Sequence, residues 1–85
     1  MEYKEIILRD AKMCAYAAGD VEHFKYLMRS LGYIFKAGVW MEVQAPGCRY
    51  YHKLKRLDEM FAEDKLKYYV DFPYTVQAYF YSKDI

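Results

Sequence analysis

"YIFKAGVWMEVQAPGCRYYHKL", residues 33–54, is where the apolar period of this chain changes from helical to two. The stretch reads as a small meander. Tyr33–Lys36 predicts a short strand, Ala37-Gly38 a tight turn and Val39–Ala45 a second strand. Val39, Met41 and Val43 fall on one face, and Trp40, Glu42 and Gln44 on the other. The first set is the core face, because the second carries a charge and an amide. Pro46-Gly47 marks the next turn. Cys48–Leu54 then predicts a third strand, with Cys48, Tyr50, His52 and Leu54 on one side and Arg49, Tyr51 and Lys53 on the other. By that alternation Tyr50 points inward and Tyr51 outward.

Upstream the spacing is helical. Ile7, Ala11, Cys14, Ala15 and Ala18 share one face of a helix over 3–18, which Gly19 ends. Asp20 is placed to cap a second helix over 21–31, whose apolar residues are Val21, Phe24, Leu27, Met28 and Leu31. Gly32 follows at the position where a left-handed cap favours glycine. The short Ala18-Gly19-Asp20 link implies an antiparallel helix pair. Downstream, Leu57, Phe61, Leu66 and Val70 suit a further short helical region that Pro73 stops, and residues 74–81 alternate weakly as a strand. A meander cannot bury both its faces alone. The expected fold is therefore α+β: two N-terminal helices packed on a small antiparallel sheet, then a short helix and a tail at 71–85. Eighty-five residues without a linker or repeat make one small domain, 1–85, with little room for an enclosed active site.

Composition limits the function classes. Hydrophobic residues at 55% exclude global disorder. Aromatics at 20%, eleven of them tyrosine, place several rings at the surface or in an interface. No apolar run approaches a membrane span, and the charged first residues are unlike a signal peptide. Two cysteines fit no disulfide framework, so a reduced, cytoplasmic setting is expected, with no membrane partner. Net charge is only +1, but it is unevenly spread. Residues 33–56 carry five bases against Glu42 alone, whereas residues 57–85 carry three bases and six acids. A basic block beside an acidic end can steer a polyanion.

Chemical motifs are sparse. Cys48 and His52 are spaced C-x3-H, yet structural zinc normally shows two close pairs of ligands, and Cys14 and His23 form no second pair. No metal or other cofactor is expected. Nothing at local spacing assembles a nucleophile, a base and an orienting group. The four glycines fall singly at turns and caps, not in a phosphate-cradling loop. "CRYYHKLKR", residues 48–56, interleaves bases with tyrosines, the residue types that neutralise phosphates and stack on unpaired bases. A solvated edge strand carries the same composition, since Lys also discourages unwanted pairing.

The order of these elements resembles a segment found after the nuclease domain in mobilisation relaxases of conjugative plasmids and transposons. The resemblance is carried by "EIILRDAKMCAYAAG", by "DVEHFKYLMRSLGY" with its closing Gly-Tyr, by "IFKAGVWMEVQAPGCRYYHKLKRL", and by "RLDEMFAEDKLKYYV" with Leu57, Phe61, Glu63 and Leu66. It covers residues 4–70. Asp58 stands where the pattern usually has Gly, Tyr50, Tyr51 and His52 stand where it more often mixes bases and aliphatics, and residues 71–85 match nothing in it. Relaxases nick DNA with a tyrosine and a metal held by a histidine cluster. This chain has only His23 and His52, far apart in sequence, so no catalytic residue carries over.

The resemblance implies a non-catalytic DNA-binding accessory domain, or a free-standing relative, assisting conjugative transfer. Its expected partners are transfer-origin DNA, a relaxase nuclease domain or a second copy of itself. Arg49, Lys53, Lys55 and Arg56 would contact phosphates, Lys36 would flank them, and Tyr51 and Trp40 would stack on or pack against the nucleic acid. The rival expectation is a protein-interaction or dimerisation module using an exposed Trp40 face and the tyrosine-rich stretch 68–81.

Overall fold

A computed structural model describes residues 2–71 of the chain. The expected α+β architecture is present. Two helices, α1 (Tyr3–Ala17) and α2 (Val21–Ser30), precede a three-stranded antiparallel sheet of order β1-β2-β3. Its strands are Ile34–Phe35, Glu42–Gln44 and Tyr51–Lys53. A four-residue helix α3 (Leu54–Leu57), a 3-10 turn (Glu59–Phe61) and helix α4 (Glu63–Asp71) follow. The predicted stop at Pro73 and the predicted strand at 74–81 lie outside the described residues.

The helices form where the apolar period requires them. Ile7, Ala11, Cys14 and Ala15 are the buried face of α1, and Ala18 ends the helix by turning to an extended conformation. Asp20 caps α2 as its side chain predicts: Oδ1 accepts the His23 amide at 2.7 Å. The His23 ring is engaged in the same turn, accepting the Gly19 amide on Nδ1 at 3.0 Å. Beyond α2, Gly32 has φ +97°, and a Cβ there would stand 2.8 Å from Pro46 Cγ. The glycine thus both terminates the helix and admits the Pro46 turn against it.

The sheet departs from the expected meander at one joint. Met41 has φ +43°, a left-handed conformation that few side chains other than Asn or Asp adopt readily. It breaks the predicted strand 39–45, so regular pairing starts only at Glu42. The Met41 side chain turns into the core at 1% exposure, while Val39, predicted inside, is 48% exposed. Ladder bonding continues past the strand ends, with the Lys36 amide donating to the Glu42 carbonyl and the Leu54 amide to the Met41 carbonyl. The third strand is shorter than predicted. The Pro46-Gly47 turn runs on through a bend at Arg49–Tyr50, and Leu54 already starts α3. Tyr50 is therefore 71% exposed, not inward.

Phe35, Val43 and His52 lie in register across the three strands and face the helices. α1 packs on α2 and α3, and α2 packs on β1 and α4. Phe24, Met28, Leu54, Met60, Phe61 and Leu66 complete the core at full burial. The Phe24 and Phe61 rings stack with centroids 6.0 Å apart. Leu66 and Val70 are core residues as expected, and Leu57 packs on the core half-buried. Asp58 is buried because it caps the 3-10 turn, accepting the Met60 amide at 3.0 Å. Two long-range bonds tie α1 to the sheet segment: Tyr33 donates its hydroxyl to Asp10 Oδ2 at 2.7 Å, and Tyr3 donates to the Gly47 carbonyl at 3.0 Å. Burial first, and then the bond to Asp10, holds the Tyr33 proton well above the ordinary tyrosine range.

Candidate nucleic-acid interface

The described helices pack on one face of the sheet, and on the opposite face Ile34 and Tyr51 are exposed. Antiparallel register sets its side chains in two rows. Ile34, Gln44 and Tyr51 form one row. Lys36, Glu42 and Lys53 form the other, because Lys36 continues the β1 ladder opposite Glu42 and Glu42 is paired with Lys53. The Lys36 ammonium sits 3.6 Å from Glu42 Oε2 and 5.7 Å from the centroid of the Tyr51 ring. Glu42 is only 13% exposed in its side chain and Lys36 54%, so the lysine stands above the carboxylate and presents its charge outward.

Two depressions flank these rows. One, of about 410 Å³, is bordered by Lys36, Trp40, Glu42, Lys53 and Lys55. The other, a cleft of about 520 Å³, opens between the start of α1 and the β3–α3 corner. Lys4, Tyr51, His52, Lys53 and Arg56 border it, together with Glu5 and Glu42. Lys53 is common to both, so the predicted cations Lys36, Lys53, Lys55 and Arg56 form one continuous basic border.

Two expected site residues do not join it as predicted. Arg49 is exposed in the bend before β3 and borders neither depression. Trp40 is no free stacking platform. Its indole is half-buried, its Nε1–H donates to the Phe61 carbonyl at 2.7 Å, and the Lys25 and Lys67 ammonium groups stand 6.0 and 5.7 Å from its ring centroid. The left-handed Met41 turns this segment so that Trp40 closes the core edge. Tyr51 is exposed as expected, at 39%. Sequence reasoning missed Lys4 and His52. Lys4 precedes Ile7 by three and Leu8 by four, which places it beside the buried stripe of α1 and was a usable signal.

The cysteines carry no visible chemistry. Cys48 Sγ lies 3.5 Å from the Tyr50 carbonyl. Burial, and secondarily the Asp10 carboxylate, pushes the Cys14 thiol up to about 11, so it keeps its proton at neutral pH. Among the described residues no three His, Cys, Asp or Glu side chains converge as metal ligands, and no helix is long and apolar enough to cross a membrane. Comparison with known proteins finds no matching family model, curated protein or solved structure.

Proposed function

We propose that this domain is a non-catalytic DNA-binding module that uses the sheet face opposite the described helices. The observation that supports it is the cross-strand Lys36–Glu42–Lys53 row beside the exposed Tyr51 ring, continued by Lys55, Arg56 and Lys4 along the two depressions. Ammonium and guanidinium groups at this density serve phosphates, and the tyrosine offers an apolar ring to a base or sugar. The sequence resemblance extends the reading to an accessory domain of a mobilisation relaxase, or a free-standing relative, that acts in the cytoplasm on transfer-origin DNA. A fluorescence-anisotropy titration with single- and double-stranded oligonucleotides at two ionic strengths tests it. Binding should weaken steeply with salt, with a log–log slope of about −0.7 to −0.9 per phosphate contacted. No measurable binding at low salt would end this reading.

A second reading has its own observation. Met13 and Leu31, 59% and 45% exposed, border one depression between α1 and the end of α2 together with Leu27, an apolar patch that nucleic-acid binding does not use. On this reading the α1–α2 face, and not the packed Trp40, meets a second copy of the domain. Sedimentation velocity should then show a dimer at high protein concentration; a monomer throughout removes self-association.

A further inference from the structure

We infer that the cleft between the start of α1 and β3 is a phosphate-group site in which His52 supplies a hydrogen-bond donor. The inference deepens the DNA-binding reading and rests on it for the biological source of the phosphate, but not for the chemistry of the cleft.

His52 is the central residue of β3, paired with Val43 on the inward row. Its ring nevertheless borders the 520 Å³ cleft. The two ring nitrogens differ sharply. Nδ1 is buried and has no hydrogen-bond partner, the one such buried side-chain atom among the described residues. Nε2 is not among the buried atoms without a partner, and the residue borders the cleft. A buried N–H without an acceptor is rarer and more costly than an unfilled lone pair. The neutral ring therefore carries its proton on Nε2 and leaves the lone pair of Nδ1 in the apolar interior. The Nε2–H is then the donor that the ring can offer to the space bordered by Lys4, Lys53 and Arg56.

The donor set selects the ligand. Two ammonium groups, a planar guanidinium fork and a ring N–H can satisfy several oxygens on one centre, which a phosphate group offers and a carboxylate does not. Glu5 and Glu42 also border the cleft, but Glu42 is turned to Lys36 at 3.6 Å. Three cations against these two carboxylates leave an excess of positive charge, which disfavours a metal ion.

Nitrogen-15 ring spectra of the whole domain test the inference, with inorganic phosphate and a short oligonucleotide titrated separately at constant ionic strength. In the free protein His52 should show the Nε2–H tautomer. Its Nε2 signal should move with at least one ligand while the His23 signals stay. Movement with the oligonucleotide alone assigns the site to backbone phosphates. Movement with inorganic phosphate alone keeps the site and removes DNA as its source. Two variants report the hydrogen bond. Where the oligonucleotide is the ligand, His52→Gln, whose amide N–H can replace the Nε2–H, should hold its affinity within about twofold, and His52→Phe should weaken it about tenfold. Where phosphate alone binds, the same ranking applies to phosphate. A free-state Nδ1–H tautomer, no movement with either ligand, or equal affinities for the two variants would overturn the inference.

Discussion

Phe61→Ala should lower the melting temperature of the domain by about 15 °C or more. Phe61 is fully buried, stacks on Phe24 and lies in the 3-10 turn that joins α3 to α4. Emptying such a site costs about 3–5 kcal/mol, because transfer energy is lost and a cavity remains. For a domain of this size 1 kcal/mol moves the midpoint by about 4–8 °C. The Trp40 bond to the Phe61 backbone carbonyl would survive the substitution, so the loss isolates the ring. Thermal unfolding followed by circular dichroism reads it, with Leu31→Ala on the exposed end of α2 as a control expected within about 0.5 kcal/mol of wild type. A Phe61→Ala midpoint near wild type would mean that α4 and the 3-10 turn do not close the core as described.

The double reversal Lys53→Glu and Arg56→Glu should reduce DNA affinity on the order of a hundredfold at low salt. It should also make the log–log salt slope shallower by about 1.4 to 1.8, the share of two phosphates. Lys53 is the cation common to both depressions, and Arg56 borders the cleft next to it. Arg49→Glu is the comparison. Its charge change is the same per residue, but Arg49 lies in the bend before β3, away from both depressions, and its effect should stay within about threefold. Lys53→Glu sets a second carboxylate opposite Glu42 and costs about 0.2–1 kcal/mol of sheet stability. A melting curve on the same sample separates that loss from the binding effect. The double variant changes the charge by twice as much as Arg49→Glu, so a loss of about tenfold for Arg49→Glu, half the free energy of the double reversal, would show that binding follows total charge and not this surface.

The helical half was legible because its signals are local. The Asp20 carboxylate reaches an amide three residues away, and Gly32 answers a backbone requirement at its own position. The sheet was legible only in outline. Alternation assumes an extended backbone throughout, and a single left-handed residue, Met41, invalidates it for Val39 and Trp40. Nothing in the residue type announces that conformation, since methionine is not a preferred occupant. The same limit applies at Tyr50, which alternation sends inward and the bend sends out. The basic strand was recognisable as a cluster, but which cations meet depends on the β3–α3 corner. That corner gathers Arg56 with Lys4, 52 positions away in sequence, and leaves Arg49 aside. His52 was legible as an inward residue; that one of its nitrogens is buried without a partner is a property of packing alone.

The ties between α1 and the later segments bear on how the chain is made. α1 is synthesised before the segments it binds: Tyr3 finds its acceptor at Gly47, Asp10 its donor at Tyr33, and the core seals only with Met60, Phe61, Leu66 and Val70. The nascent helices thus have no completed partner until the last of these residues has emerged. Throughout that interval the apolar faces of α1 and α2 can cover only each other, which is when a small domain of this design is most open to chaperones and to misassembly.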